Sequence, residues 1–458
     1  VPVARSSTGL RTDRDGPADE GGGPPRSDLT RPQLPPLALT GSVVVAAVSA
    51  LTYLAATYRY RRDWWRFLDL SIYRDGAETV LRGDPLYGGV QFLHNSWTNT
   101  PFTAVLYVPI LAIHGAPMRV LALVGNMALL VSVVALTLLG LRVRVDRRFV
   151  AWLVLLAAVC LWIEPVLSTI RLGQVNLLLA VLVLADVVLL GGPLLESPPV
   201  GGRPGRVRWH GVGIGLAAGI KLTPALFVAY LLLRRRYRAA AVAAGTALAT
   251  VAIGFAAAPS SSTVYWLHGT VFDSGRVGSL DSAVAQSLHS SVARELGSGP
   301  RIDAAWLVAD VVTAVVGLLL AAAVARAGHE MLAVTTVGLL ACLVSPFSWS
   351  HHWVWFVPLL VVTSVAAGRR GSLTAWLPVV ALGGLLAGWI TGYGYPPLSD
   401  HGPHLGLIWQ VDQPALRPVT TNLYPLLAYV LLAVLLVLVG RASRRRRGTR
   451  ADRTAGAR

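Results

Sequence analysis

Among 40 basic residues the chain has a single lysine, Lys221. It also has only two cysteines and three methionines, and 14% of its residues are charged. Each scarcity excludes something. Cys160 and Cys342 both lie inside apolar runs, so they read as small buried hydrophobes with no disulfide framework and no metal spacing. Walker loops, dinucleotide glycine fingerprints and internal repeats are missing, and with them any motif for a nucleotide or other cofactor. So little charge excludes a soluble fold of 458 residues: 54% are apolar and mean hydropathy is +0.58. The formal charge of +17 invites nucleic acid, but basic stripes with interleaved aromatics are absent. The arginines gather in short loops and in the C-terminal tail, where they orient spans and attract anionic membrane lipids.

What the chain has is apolar runs long enough to cross roughly 30 Å of hydrocarbon. It reads as an all-α polytopic membrane protein of the plasma membrane. Residues 1–36, rich in Gly, Pro and Arg, are expected to be a disordered cytoplasmic tail. Leu37 to about Tyr58 follows as the first span and an uncleaved anchor. Further segments run at about 100–114, 118–141, 149–168, 174–192, 211–233 and 237–258, then at 304–325, 331–346, 351–366, 373–391 and 419–440. The count is about twelve, within a membrane domain of 37–440. An even count leaves both termini on one side, and the basic tail 441–458 places that side in the cytoplasm. The polar stretches at 59–99, about 259–303 and 391–419, and the junction Ser345–His352, then lie outside.

Two arginine groups conflict with this topology: Arg142, Arg144, Arg147 and Arg148, and later Arg203, Arg206 and Arg208. A re-entrant 100–114 segment would repair it. So would a break of 211–233 into half-helices at Lys221-Leu222-Thr223-Pro224, tolerated at depth where protein or a water-filled cavity surrounds the backbone.

The most elaborate polar piece is FLDLSIYRDGAETVLRGDPLYGG, Phe67 to Gly89. Leu70, Tyr73, Ala77, Val80 and Leu81 recur at helical spacing, with Arg74, Asp75, Glu78 and Arg82 opposite. This predicts an interfacial helix, apolar face down on the membrane, ended by Gly83-Asp84-Pro85. Asp69 stands at its start, as a cap or as a base. Ionisable groups inside spans are functional candidates. Glu164-Pro165 opens an interruption, EPVLSTIRLGQVN, that also holds Arg171, Gln174 and Asn176. Glu164 and Arg171 could pair across a kink, whereas Asp186 reads as an interhelical hydrogen-bonding residue. Lys221 at a broken helix, with His351 and His352 of SPFSWSHH, suits the phosphate of a lipid-linked substrate. A carboxylate on the same side can take a hydroxyl proton. No loop is large enough for a soluble nucleotide-sugar domain, so a glycosyltransferase built this way takes its sugar from a lipid carrier. A flippase of a polyprenyl-linked sugar is the competing reading, but it would normally show paired repeats.

The stretches DLSIYRDGAETVLRGDPLY (69–87), LGQVNLLLAVLVLAD (172–186), GLAAGIKLTPALFVAYLLLRRR (215–236), AQSL (285–288) and SPFSWSHHWVW (345–355) occur in family order. In them the chain resembles glycosyltransferase family 87, the actinobacterial polyprenol-phosphate-mannose-dependent α-1,2-mannosyltransferases of the GT-C class. It departs from the family at Ala285, often Asn, and at NTPFTAVLYVP, where a Tyr-Pro-Pro-like turn is usual. The resemblance implies a GT-C bundle around an extracytoplasmic cavity. It also implies inverting transfer of mannose from a polyprenyl-phosphate mannose donor to a mannosylated glycolipid acceptor, of phosphatidylinositol mannoside or lipomannan type. A related polyprenyl-phosphate sugar is the rival donor. Asp69 matches the family's proposed base, Lys221, His351 and His352 are expected at the donor phosphate, and Tyr73, Glu164, Arg171, Gln174 and Asn176 are expected to line the substrate site. No metal or other cofactor is implied.

Overall fold

The computed structural model describes residues 34–88, 96–191, 209–273, 275–297, 299–390, 406–409 and 414–455. Most of the expected disordered tail, much of the 391–419 loop, and Arg203, Arg206 and Arg208 lie outside the described residues. Helices α1 (Leu39–Arg59), α2 (Arg61–Trp64), α3 (Leu68–Arg82) and α4 (Pro101–Leu106) precede the long α5 (Gly115–Gly140). Then come α6 (Arg147–Cys160), α7 (Glu164–Leu172), α8 (Asn176–Ala185), α9 (Val212–Ile220), α10 (Leu226–Leu233) and α11 (Tyr237–Ala257). The rest are α12 (Pro259–Ser262), α13 (Leu288–Leu296), α14 (Pro300–Arg326), α15 (Glu330–Leu343), α16 (Phe356–Arg370), α17 (Leu377–Leu386), α18 (Arg417–Thr420) and α19 (Leu423–Ala455). No β-strand occurs among the described residues, only isolated bridges such as Ala285 with Trp349.

Helices α1, α5, α11, α14 and α19 are long and apolar enough to cross a membrane, α16 is so together with the 3₁₀ turn Ser350–Trp355 before it, and α7 with α8 and its π-turn extension forms one further pair bent by 112°. Shorter apolar helices cover Pro101–Ala112, Thr223–Leu233, Glu330–Leu343 and Leu373–Leu386. The expected twelve segments are therefore unequal. The basic tail is not separate from the last span, because α19 continues without a break to Ala455.

Helices α1 and α6–α7 run side by side in the same direction, pinned at three levels. Arg148 donates to the Leu34 carbonyl (3.0 Å), the Trp162 indole donates to Ser49 (2.7 Å), and the Arg171 guanidinium lies over the Trp64 ring. Leu34 is 2% exposed, so packed structure begins before the expected tail boundary at residue 36. Phe67 and Leu70 pack on Met118, which brings the end of the α1–α3 stretch to the start of α5. With α4 and its following 3₁₀ turn too short to cross, α5 returns Arg142, Arg144, Arg147 and Arg148 to the side where α1 begins. A 100–114 segment this short is what the first of the two repairs requires, and the helix break that the second invokes is present, since α9 ends at Ile220 and α10 starts at Leu226.

Helix α3 forms where its pattern predicts, but its apolar face is covered by protein. Leu70, Ile72, Tyr73, Gly76, Ala77 and Val80 are buried, while Leu81, expected on that face, is 63% exposed. The reason is the neighbour: α4 and the 3₁₀ turn Val108–Ala112 lie under α3, and Trp97 presses on Gly76, where a Cβ would clash at 2.3 Å. The bend of the paired segments falls close to the expected boundary between 149–168 and 174–192. Helix α7 runs through most of the polar interruption, and the chain turns at Gly173-Gln174-Val175. Pro165 sits in the first turn of α7, where a missing N–H costs nothing.

Candidate active site

The elbow between α7 and α8 is the centre of the site. Gly173 has φ +71°, and a Cβ there would lie 2.8 Å from Leu70 Cβ, so only glycine lets the elbow approach α3 so closely. Phe67, the residue before α3, is itself left-handed at φ 48°, a strained backbone directly ahead of Asp69. The side chain of Asp69 does not cap its helix. Its Oδ2 accepts from Gln174 Nε2, and Gln174 Oε1 in turn accepts from the Tyr73 hydroxyl at 2.5 Å. Tyr73 thereby fixes which way the Gln174 amide faces, with its N–H toward the carboxylate. Tyr73 is 2% exposed and packs between Trp97 and Tyr107.

Enclosure by protein raises the Asp69 carboxyl to about 6, against the lowering effects of the Gln174 hydrogen bond and the charges of Lys221 and Arg171. Those two cations are therefore close enough to act on Asp69. All three charged groups keep some exposure within an otherwise buried shell.

Lys221 occupies the break between α9 and α10 in extended conformation. The carbonyls freed by the break do not go unpaired. Thr100 donates to Gly219 O and Thr103 to Ile220 O, both at 2.6 Å, from the start of α4. Lys221 Nζ lies 2.8 Å from His352 Nε2, and His352 Nδ1 lies 3.2 Å from Ser348 Oγ. Both ring nitrogens of His352 are thus engaged. His351 differs: its Nε2 is buried without a partner among the described residues, while its carbonyl accepts from Thr169 (3.0 Å) and Asn176 (2.9 Å) of the elbow helices. The elbow therefore grips Asp69 with one side chain and the His351 backbone with two.

The structure gathers Asp69, Tyr73, Arg171, Gln174, Asn176, Lys221, His351 and His352 in one polar region. Glu164 is elsewhere in its contacts. It is 1% exposed and accepts from Ser168 (2.6 Å), Ser350 (2.9 Å), Tyr424 (2.7 Å) and Trp409 (3.4 Å), a ring of neutral donors tying α7 to α19 and to the turn before α16. These donors, in place of the considered Arg171 pairing, satisfy its carboxylate. Asp186 opens the π-turn that follows α8, where it accepts from the Gly211 and Ile214 amides and meets His210 Nδ1 at 2.7 Å, an interhelical role as expected.

The sequence pattern assigns Gln286 of the AQSL stretch no role of its own. It is fully buried and binds the Thr421 carbonyl (2.7 Å) and the Tyr424 amide (3.1 Å), while its backbone N–H donates to Ser348 O (2.6 Å) and its carbonyl accepts from Trp353 (3.0 Å). It holds the 259–303 loop on the histidine turn. A lone glutamine in a loop gives no periodic signal, so sequence reading passes over it. Among the described residues no three His, Cys, Asp or Glu side chains gather as a metal site.

The model of glycosyltransferase family 87 matches residues 97–346. A polyprenol-phosphate-mannose-dependent alpha-(1-2)-phosphatidylinositol mannoside mannosyltransferase of Mycobacterium tuberculosis is 32% identical over 337 residues, 70% of this chain and 74% of the relative. A protein of the same description from Mycolicibacterium smegmatis is 34% identical over 367 residues, 69% and 78% of the two chains. A polyprenol-phosphate-mannose-dependent alpha-(1-2)-phosphatidylinositol pentamannoside mannosyltransferase of M. smegmatis is 30% identical over 383 residues, 80% and 86%. No solved structure matches the chain. With its family match covering the α4–α15 frame that carries the elbow and the broken lysine helix, and with relatives aligned over most of both lengths, this multi-pass membrane protein belongs to glycosyltransferase family 87.

Proposed function

We propose that this enzyme transfers mannose from a polyprenyl-phosphate carrier to the 2-hydroxyl of a mannose on a membrane glycolipid, of phosphatidylinositol mannoside or lipomannan type, with inversion at the anomeric carbon. The site faces the extracytoplasmic side, both termini are cytoplasmic, and residues 37–440 form the catalytic domain. The names of the mycobacterial relatives support the donor and the acceptor class. The observation that carries the mechanism is the Asp69–Gln174 hydrogen bond beside Lys221, which puts an aimed carboxylate and a cation in one partly open site.

The acceptor oxygen attacks the anomeric carbon as the bond from that carbon to the phosphate oxygen breaks. The electron pair leaves with polyprenyl phosphate, and the hydroxyl proton passes to Asp69. Gln174 occupies Oδ2, which leaves Oδ1 to receive it. A carboxyl at about 6 is ionised at neutral pH and a better base than an ordinary aspartate. Lys221, oriented by His352, neutralises the phosphate, and His351 Nε2 donates to the oxygen that gains charge as the bond breaks. Arg171 adds positive charge to the same site. The test is purified protein with labelled polyprenyl-phosphate mannose and a phosphatidylinositol mannoside. A new α-1,2 mannoside is expected. Release of free mannose alone, or product only from another polyprenyl-phosphate sugar, would overturn the assignment.

A further inference from the structure

Away from the elbow, a cavity of about 370 Å³ lies where the end of α1, the α2 turn and the first turn of α5 meet. Among the described residues Tyr58, Arg61, Trp65 and Arg119 line it. Arg61 is held over the Tyr58 ring, 5.1 Å from its centroid. The Nε of Arg119 is buried and has no acceptor among the described residues. A buried guanidinium N–H without an acceptor is costly unless a ligand supplies one. Two guanidiniums in one concavity, with no carboxylate among its described lining residues, suit an anion with several oxygens, and the planar fork of arginine fits phosphate best.

The position selects the kind of phosphate. Trp65 packs on the Phe67–Leu70–Met118 cluster that seats the first turn of α3, the turn bearing Asp69. The flanking faces are apolar and exposed: Leu51 and Leu54 on α1, and Val120, Leu121 and Val124 on α5. An occupant can leave acyl chains against these faces, put its phosphate between the arginines, and extend a sugar toward Asp69. Tyr58 and Trp65 supply the amphipathic rings that suit a headgroup boundary.

We infer that this cavity binds the phosphodiester of the phospholipid acceptor, with Arg61 and Arg119 on its non-ester oxygens. The assignment rests on the acceptor class proposed above. It makes the cavity a specificity site, which lets the enzyme prefer a mannosylated phospholipid over a mannoside that lacks the phosphate.

Two readouts test it. In nanodiscs, kcat/KM is compared for a phosphatidylinositol mannoside and for octyl α-mannoside. The ratio of the two should fall about tenfold for each of Arg61→Gln and Arg119→Gln, the scale of one charge-assisted phosphate contact. A ratio that stays within about twofold in the double variant would overturn the assignment. The second readout needs no turnover: native mass spectrometry of protein from phosphatidylcholine nanodiscs doped with phosphatidylinositol. Wild type should retain phosphatidylinositol, the double variant should not, and millimolar inorganic phosphate should not displace it. Equal retention by both proteins, or displacement by free phosphate, would refute a phospholipid site. If no mannosyl transfer is found at all, the proposed function fails, and this second readout still decides the cavity.

Discussion

Gln174 donates its amide N–H to Asp69 from the elbow between two helices, 105 residues away in the chain. Because the Tyr73 hydroxyl fixes the other end of that amide, the carboxylate has a set direction before any substrate arrives. Burial raises the Asp69 carboxyl to about 6, and the Gln174 hydrogen bond works against that rise. Removing Gln174 therefore raises it further. The acid limb of kcat/KM should lie near pH 6 in wild type and move up in Gln174→Leu, with a smaller move in the same direction in Tyr73→Phe. A pH profile that is unchanged in Gln174→Leu would mean that Asp69 does not set the acid limb.

The two adjacent histidines should behave differently. His351→Ala removes the donor to the leaving oxygen and should slow turnover by about a hundredfold, some 2.7 kcal/mol, with little change in donor KM. His352→Ala frees Lys221 and should mainly raise donor KM, as Lys221→Met should. Lys221→Arg should restore only part, since a planar fork does not fit the place of a compact ammonium. Stopped single-turnover and steady-state kinetics separate these effects, and full turnover in His351→Ala would remove it from the reaction.

Glu164 should act on stability and not on chemistry. Glu164→Ala leaves Ser168, Ser350 and Tyr424 without their acceptor in a dry interior, each worth about 1–3 kcal/mol. The expected result is a marked drop in melting temperature in detergent, while Glu164→Gln, which keeps an acceptor oxygen, recovers much of it. Donor and acceptor KM in the Gln variant should match wild type. A raised KM without loss of stability would place Glu164 back at the substrate.

Much of this arrangement is legible in the sequence, and the misses share a cause. The α3 period, the lone lysine at Lys221-Leu222-Thr223-Pro224 and the paired histidines all mark themselves by local pattern, and the helix, the helix break and the turn they mark are all present. What local pattern does not carry is the partner across the fold. Leu81 has the spacing of a buried residue, yet the cover that buries Tyr73, Ala77 and Val80 leaves it 63% exposed. Glu164 and Gln174 stand ten residues apart in one polar interruption, but the turn at Gly173 sends Gln174 to Asp69 and leaves Glu164 among hydroxyls. A place at a helix start favours capping for Asp69, and the elbow supplies the competing donor, Gln174.

The most direct measurement is transfer by Asp69→Asn. Folding raises the Asp69 carboxyl above its ordinary value, so the ionised group costs stability as pH rises through about 6, and that cost persists at neutral pH. The amide removes this cost and still accepts from Gln174, so the variant should melt at or above the wild-type temperature at pH 7.5 and still bind polyprenyl phosphate. Mannose transfer should fall at least about a thousandfold, some 4 kcal/mol at the barrier. A folded, donor-binding Asp69→Asn enzyme that transfers mannose at near wild-type rate, while Asp75→Asn or Asp84→Asn does not, would contradict the assignment of Asp69 as the base.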